Sequence, residues 1–260
     1  MGLFDKKCCD ICGEKIGLLG NRKLEDGNCC KNCARKLSPW FSERRHSTVN
    51  EIKQQLAYRG ENQEKAAQFR ITQELGREWR VLFDEPHGWF TVTRANDLAE
   101  ENADILDYAQ LTGCRVDVDE NRRECKRTDK DGKQVSYDPP RYEYSYNFDV
   151  TVTVNTPYFD EMRFRLNPRP ITLESEAPRG FSFTRSIDPS YNIEYRRYAQ
   201  LADEICAAVE RARTRGHAAP SVQEMPQSTP AAAASGAWDC PACGGSNTGK
   251  FCEYCGTPRP

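Results

Sequence analysis

Long apolar runs are missing from this 260-residue sequence, and none approaches the roughly 18 residues that a transmembrane helix needs. Residues 1–6 lack the apolar core of a secretion signal. Lys6 stands where N-myristoylation requires Ser or Thr. We therefore expect a cytoplasmic protein that does not insert into membranes.

An excess of positive charge is also missing. The sequence has 37 Lys and Arg residues against 39 Asp and Glu residues, a formal net charge of -2. A surface built throughout for phosphate backbones would be strongly basic. The charge balance therefore argues against a protein that binds nucleic acid over its whole surface.

Histidine is scarce, with three residues in the chain, and none lies in a recognisable catalytic motif. The three isolated cysteines lack a general base, such as a histidine, next to them in sequence, and a thiol nucleophile needs one for activation. The candidates are His46, His87, His217, Cys114, Cys125 and Cys206. We predict that the protein is not an enzyme.

Cysteine, in contrast, is abundant: the chain has 13, clustered at its two ends. Disulfides are rare in a reducing cytosol, and paired CxxC motifs are typical of metal sites. At the first end, Cys9 and Cys12 form one such pair and Cys30 and Cys33 another. Four thiolates at these spacings suit tetrahedral zinc, and Gly13 supplies the flexible residue that a metal-binding turn often requires. A glycine-rich hairpin at 17–20 followed by a helix carrying the last ligands would complete a treble-clef arrangement.

A second register of this site remains open, because Cys8 and Cys29 each precede a proposed ligand. Pairing Cys8 with Cys12 and Cys29 with Cys33 would give x3 spacings, which are less usual for zinc. Their position beside the site also leaves an oxidation-sensitive role open.

The other end of the chain carries two CxxCG motifs, formed by Cys240 with Cys243 and by Cys252 with Cys255. This segment is too short for an apolar core of its own, so a bound metal must supply most of its folding free energy. Each set of four cysteines occupies all four coordination positions of a tetrahedral zinc ion. Both sites are therefore predicted to be structural, with two zinc ions per chain.

Between the two ends, hydrophobic periodicity predicts an α+β arrangement. A capping signal at Ser47 or Thr48 with Glu51 starts a helix to about residue 67, whose narrow apolar face favours packing on one neighbour. Alternation predicts hairpins over 81–93 and 124–137, a long strand over 142–154 with one apolar and one solvated face, and a strand near 162–166. A helix over 193–213 closes the region.

These boundaries predict a multidomain α+β protein. Its five segments would be a four-cysteine zinc finger at 1–46, a connecting helix at 47–67, a β-rich domain at 68–213, a flexible linker at 214–237 and a zinc ribbon at 238–260.

Three resemblances extend this interpretation. The segment CDICGEKIGLLGNRKLEDGNCCKNCARKLSPWFSERRHST resembles the N-terminal zinc finger of an uncharacterised bacterial family, described only as a domain of unknown function. The tail WDCPACGGSNTGKFCEYCGTPRP is similar to short zinc ribbons that end many bacterial multidomain proteins. The order of strands and final helix in the middle resembles the barrel of PH-like (PH and GRAM-type) domains, with an open antiparallel sheet as the alternative.

The function favoured by these observations is that of a zinc-binding interaction or adaptor protein with an unidentified protein partner. Nucleic-acid binding through the zinc-finger ends is the alternative, because residues 1–45 contain ten Lys or Arg and six Asp or Glu. Residues 69–174 contain 15 basic and 21 acidic residues, which opposes extended contact with a polyanion. Eight thiolates and two zinc ions would move the net charge to about -6, which further favours a protein partner.

Overall fold

The computed structural model describes residues 7–174, 188–217, 238–247, 250–255 and 257–259. These residues fall into two compact units, one ending at His217 and the other following it in the chain. No helix among the described residues is long and apolar enough to cross a lipid bilayer.

The described residues form three α-helices and twelve β-strands. The helices are α1 (Lys31–Arg35), α2 (Val49–Gln68) and α3 (Ile193–His217). The strands are β1 (Asn21–Lys23), β2 (Asn28–Cys30), β3 (Gln73–Gly76), β4 (Arg80–Asp84), β5 (Trp89–Thr93), β6 (Leu106–Asp107), β7 (Leu111–Thr128), β8 (Gln134–Val154), β9 (Glu161–Arg165), β10 (Ile171–Glu174), β11 (Trp238–Asp239) and β12 (Ser246–Asn247).

Helix α2 begins at the predicted capping signal. The Thr48 side chain accepts a hydrogen bond from the Glu51 amide, and the Glu51 carboxylate accepts one from the Thr48 amide at 2.7 Å. This reciprocal pair satisfies two amides that the first turn of a helix leaves without partners. The Thr48 alternative of the predicted capping signal is confirmed.

The expectation that α2 packs on one neighbour is wrong. Near its start, Ile52 is fully buried in an apolar cluster with Leu24, Leu37 and the cysteines of the N-terminal end. Near its finish, Ala66 packs with Ala103 and Ile105 beside the first β-sheet. Apolar periodicity does not register this second contact, because polar side chains make most of it.

Those polar side chains centre on Arg59 of α2. Its guanidinium donates to the Asp104 carboxylate at 2.5 Å, to the Lys36 carbonyl at 3.2 Å and to the Asn102 carbonyl. The Ser38 hydroxyl donates to the other Asp104 oxygen at 2.9 Å. The Arg59 and Asp104 side chains are only 6% and 1% exposed, so this ion pair lies in the interior.

The first β-sheet is antiparallel, with strand order β3-β4-β5-β6. Its β4–β5 hairpin pairs Val81 with Val92 and Phe83 with Phe90, which confirms the predicted hairpin over 81–93. A second antiparallel sheet has the order β10-β8-β7, with β9 also paired to β8. The inward-facing residues of both sheets and those of α3 form one apolar core.

The predicted PH-like barrel is not observed, because neither four-stranded sheet of the described residues closes on itself. After β6 the chain turns through a short 3-10 helix at Tyr108–Gln110, and β7 then pairs with β8 instead of extending the first sheet. That turn interrupts the hydrogen-bond ladder where a barrel would have to continue it. The open-sheet alternative, with α3 packed on it, describes the fold.

The long strand predicted over 142–154 is part of β8, and it pairs with β7 in continuous register from Tyr142 to Thr153. The ladder shifts register before that stretch, between Cys125 and Lys126 of β7, where β8 carries extra residues. Such a bulge bends the strand that carries it. The hairpin predicted around Asp131 is also confirmed, since the Asp129 carboxylate accepts bonds from the Asp131 and Lys133 amides in a tight turn.

One face of β8 was expected to be solvated, but Asn147, Asp149 and Thr151 are buried. Arg163 and Arg165 of the neighbouring strand β9 extend over this face and donate to the Asp149 carboxylate. The hydrogen bond from Arg165, stronger than the opposing effect of burial, lowers the pKa of Asp149 below its usual range. A polar side chain in an alternating pattern can therefore be covered by the long arginines of the next strand.

Helix α3 runs to His217 instead of ending at Arg213, so it includes the first residues assigned to the linker. The rest of that predicted linker, 218–237, lies outside the described residues. The division of the chain into five segments stays a prediction.

The buried ion pair leads to a stability prediction. Replacing Arg59 by Met leaves the Asp104 carboxylate in the interior without its cation, which is expected to lower the free energy of unfolding by about 3–5 kcal/mol. Lys65→Met is the matched control. Lys65 lies on α2, like Arg59, but its ion pair with Asp107 of β6 is partly exposed. This substitution should cost about 1 kcal/mol or less. Urea unfolding followed by tryptophan fluorescence measures both; equal effects of the two substitutions would contradict the role given to Arg59.

Candidate metal centres

The first candidate centre brings together Cys9, Cys12, Cys30 and Cys33, whose sulfur atoms all lie within 4.8 Å of one another. The sulfurs of Cys12 and Cys30 are 3.8 Å apart. Zinc with Zn–S bonds of about 2.3 Å requires edges of about 3.8 Å in its sulfur tetrahedron, whereas a disulfide has an S–S length of about 2.05 Å. The separation fits four ligands around one ion and not a disulfide.

The first two thiols lie on a tight turn. The Gly13 amide donates to the Cys9 carbonyl at 2.8 Å, which brings the chain back over Cys12. Gly13 has a φ of 77°, in the left-handed region that a residue with a Cβ atom seldom adopts. The Asp10 amide then donates to the Asn28 carbonyl at 2.8 Å, and this bond holds the turn against β2.

The other two thiols come from the junction of β2 and α1. Cys30 ends the strand and precedes the first residue of the helix, and its sulfur accepts a hydrogen bond from the Cys33 amide at 3.3 Å. The Cys30 amide in turn donates to the Cys9 sulfur at 3.2 Å. Amide donors of this kind stabilise thiolates and orient them as metal ligands.

The β-hairpin of this module lies later in the chain than expected. Gly17 and Gly20 form a turn, closed by a 2.9 Å bond from the Gly20 amide to the Gly17 carbonyl. The hairpin strands that follow are β1 and β2, which pair Asn21 with Cys30 and Lys23 with Asn28. The metal-binding turn, hairpin and short helix nevertheless follow one another in the predicted order.

The electrostatics of the four thiols are unequal. Burial of Cys9 favours its neutral form, but amide hydrogen bonds from Cys12, Cys30 and Ile11 outweigh burial and lower the pKa of Cys9 to about 6. Burial and the neighbouring thiols raise the pKa of Cys33 above its usual range. Sulfurs this close repel one another as anions, so a bound cation is needed to hold all four ionised.

The two neighbouring cysteines are placed differently. Cys8 is exposed, and Cys29 is buried with its thiol donating to the Cys30 carbonyl at 3.4 Å. Burial, reinforced by Cys9 and Cys30, raises the pKa of Cys29 to about 12. Neither residue belongs to the cluster of four sulfurs, so the geometry favours the x2 register over the x3 alternative.

The second candidate centre gathers Cys240, Cys243, Cys252 and Cys255 within the same 4.8 Å limit. The sulfurs of Cys240 and Cys255 are 3.5 Å apart, and those of Cys243 and Cys252 are 3.4 Å apart. These lengths are close to a zinc–sulfur tetrahedron and far from a disulfide. The two ends of the chain thus carry sites of the same composition.

The second centre repeats the turn of the first. The Gly244 amide donates to the Cys240 carbonyl at 2.8 Å, and Gly244 has a φ of 74°. Burial of Cys252 favours its neutral form, but the amides of Tyr254 and Cys255 outweigh burial and lower its pKa to about 6. The Cys255 sulfur lies 3.1 Å from the Thr257 hydroxyl, an additional polar neighbour of the site.

Four sulfur ligands complete the tetrahedron that zinc prefers, so neither centre leaves a coordination position for water or substrate. Bound zinc would hold the two turns of each module together. The arrangement fits a structural ion and not a hydrolytic one.

The histidines considered as catalytic candidates have other contacts. The His87 ring lies 2.7 Å from the Asp84 carboxylate and stacks on Trp89 at 4.5 Å between centroids. A ring nitrogen of His217 lies 3.0 Å from the Leu111 carbonyl. His46 is exposed at the end of a short 3-10 helix. The prediction that the protein is not an enzyme stays a prediction.

One close pair of cysteines was not foreseen. The sulfurs of Cys114 and Cys206 are 2.7 Å apart although the residues are 92 positions apart in the chain. Cys206 is half-buried beside the sheet. No spacing motif links two single cysteines on different elements, so only the tertiary structure reveals the pair.

Comparison with known proteins gives one family match, which covers the N-terminal cysteine module. Residues 7–55 match a family model described as a domain of unknown function (DUF4428), which confirms the resemblance of the opening segment to such a domain. The match includes all four cysteines of the first centre and the start of α2. Searches of curated proteins and of solved structures give no significant match.

Adjacent cysteines offer a matched test of the first centre. The full chain is expected to bind about two zinc ions, and Cys9→Ser should bind about one because its cluster loses a ligand. Cys8→Ser, one residue away and outside the cluster, should retain about two. Elemental analysis of the reduced, gel-filtered proteins measures the zinc-to-protein ratio. Loss of an ion in Cys8→Ser but not in Cys9→Ser would establish the shifted register instead.

Proposed function

We propose that this chain is a non-enzymatic interaction protein of the cytoplasm, in which two structural zinc ions organise two small protein-binding modules. The two four-cysteine clusters support the metal assignment, because their sulfur sets suit zinc and leave no open ligand position. The N-terminal module, with its metal-binding turn, hairpin and helix, is treble-clef-like in this proposal. The C-terminal module is a zinc ribbon.

The observation that carries the proposal is the exposure of large apolar side chains on both modules. Leu18 and Leu19 at the first module are 92% and 89% exposed. Phe251 and Tyr254 of the second are 62% and 77% exposed. Aromatic and large apolar residues on a rigid surface are common anchors of protein interfaces.

The two leucines occupy a turn whose backbone is held in place. The Gly20 amide closes the turn on the Gly17 carbonyl, and the Arg22 guanidinium donates to the Leu19 carbonyl at 3.3 Å. A turn that is already ordered loses little conformational entropy on binding. We infer that Leu18 and Leu19 insert into an apolar pocket of a protein partner.

Nucleic-acid binding remains the second candidate, because the first 45 residues carry more basic than acidic side chains. Some of that basic charge serves the fold: the Arg44 guanidinium donates to the Lys23 carbonyl at 2.6 Å. The acidic excess over 69–174 opposes a polyanion near the rest of the first unit. The charge distribution therefore favours a protein.

The exposed leucines provide the test. Replacing both Leu18 and Leu19 by Ser should remove most of the proteins that the zinc-loaded full chain captures from native lysate, because the apolar anchors are lost. Ile71→Ser is the control, since Ile71 is also an exposed aliphatic residue but lies outside both zinc modules. Captured proteins are quantified by mass spectrometry.

Nuclease treatment of the lysate separates the two candidates. Nucleic-acid binding would be supported if nuclease treatment abolished the capture of lysate proteins. It would also be supported if added salt abolished that capture equally in the parent chain and in the leucine variant. Capture that is lost equally in Ile71→Ser would refute the assignment of the leucine turn as the contact.

The separate C-terminal unit leads to a truncation prediction. Deleting residues 238–260 should leave the thermal midpoint of the remaining chain within about 1 °C of the full chain, because the first unit has its own apolar core. The same deletion should remove one zinc ion and the partners that depend on Phe251 and Tyr254. Differential scanning calorimetry measures the midpoint; a large decrease would show that the C-terminal module is part of the folded core.

A further inference from the structure

Cys114 and Cys206 form a thiol pair outside both metal centres. Cys114 lies near the start of β7, and Cys206 lies in the middle of α3, with 2.7 Å between their sulfur atoms. Both side chains are half-buried, so a small reagent can reach them from solvent.

The elements that carry these thiols are held firmly by the core. On α3, Ile205 and Val209 flank Cys206 and are fully buried. On β7, Cys114 pairs in register with Val152 of β8, which is also fully buried. The short distance therefore results from the packing of α3 on the sheet, and the two sulfurs are kept as neighbours in the folded protein.

The two thiols differ in acidity. A hydrogen bond from Cys114 lowers the pKa of Cys206, although burial and the nearby Asp203 act in the opposite direction. That same interaction, together with burial, raises the pKa of Cys114. Cys206 is thus the thiol that ionises first, and the thiolate is the form that attacks oxidants.

We propose that Cys114 and Cys206 are a peroxide-reactive dithiol site that oxidises to a disulfide joining α3 to β7. In the first step the Cys206 thiolate attacks hydrogen peroxide; with one proton taken up, the products are Cys206 sulfenic acid and water. In the second step the Cys114 sulfur displaces hydroxide from the sulfenic acid, and its own proton leaves with that hydroxide as a second water. Two thiols and one peroxide give one disulfide and two waters.

The proposed bond closes a long loop of the chain, since the two residues are 92 positions apart. Cross-links over long loops restrict the unfolded chain and raise the thermal midpoint. Oxidation should therefore raise the unfolding temperature of the first unit, and a thiol reductant should reverse the shift.

The experiment treats reduced, zinc-loaded full chain with one equivalent of hydrogen peroxide, alkylates the remaining thiols and maps the peptides by mass spectrometry. The expected product is a cross-linked peptide joining Cys114 and Cys206, about 2 Da lighter than the sum of the two thiol peptides. The zinc content is measured in the same sample and should stay at its starting value. Oxidation of the metal ligands would release zinc instead.

Variants assign the roles of the cysteines. In Cys114→Ser the cross-link should be absent, and a sulfenic-acid probe should label Cys206. In Cys206→Ser the cross-link should be absent, and Cys114 should be recovered as an alkylated thiol. Cys125→Ser is the matched control, because Cys125 lies further along the same strand and pairs in register with Arg141; its cross-link should equal that of the parent chain.

Two outcomes would overturn the proposal. One is that Cys114 and Cys206 of the parent chain are both recovered as alkylated thiols after peroxide treatment, while other cysteines are oxidised. The other is that Cys206 is oxidised to the sulfinic acid in the parent chain without a cross-link. Both results come from the parent chain, so neither depends on whether a variant folds.

Discussion

The constraint on which both ends of this protein depend is the crowding of four cysteine sulfurs within 4.8 Å. Thiolates that close repel one another, and only a shared cation makes the arrangement favourable. In the C-terminal module Cys240 and Cys252 are the only buried hydrophobic residues among those described, so a bound metal would take the place of an apolar core. In the N-terminal module Leu24 and Ile52 add a small core around the ligands.

Helix α2 connects the first metal centre to the β-sheets of the same unit. Its first half packs on the cysteine module through Ile52, and its second half is held by the buried pair of Arg59 and Asp104. A buried ion pair contributes less free energy than apolar packing of equal volume, but it tolerates few alternative geometries. The Leu18–Leu19 turn is therefore presented from a module whose contact with the β-core is specific.

Local pattern predicted the elements of this protein well. The capping residues of α2, the β4–β5 hairpin and the alternation in β9 all follow from side-chain periodicity and hydrogen bonding near in sequence. The errors concern contacts between elements. The barrel did not form because the turn after β6 directs β7 to pair with β8, and the supposedly solvated Asp149 is covered by arginines of β9. Neither contact leaves a periodic signal in either segment alone.

The amino-acid sequence by itself determined that a four-cysteine cluster forms at each end of the chain, because CxxC spacing specifies a turn that needs only a few neighbouring residues. At the first cluster it left two registers open, and the placement of Cys8 and Cys29 in the structure favoured one of them. It also determined that the two sites share one chemistry. Only the tertiary structure decided that the sheets stay open, that α2 has two neighbours and that Cys114 meets Cys206. These depend on how distant elements pack, and packing is set by the sum of many weak contacts that no short segment encodes.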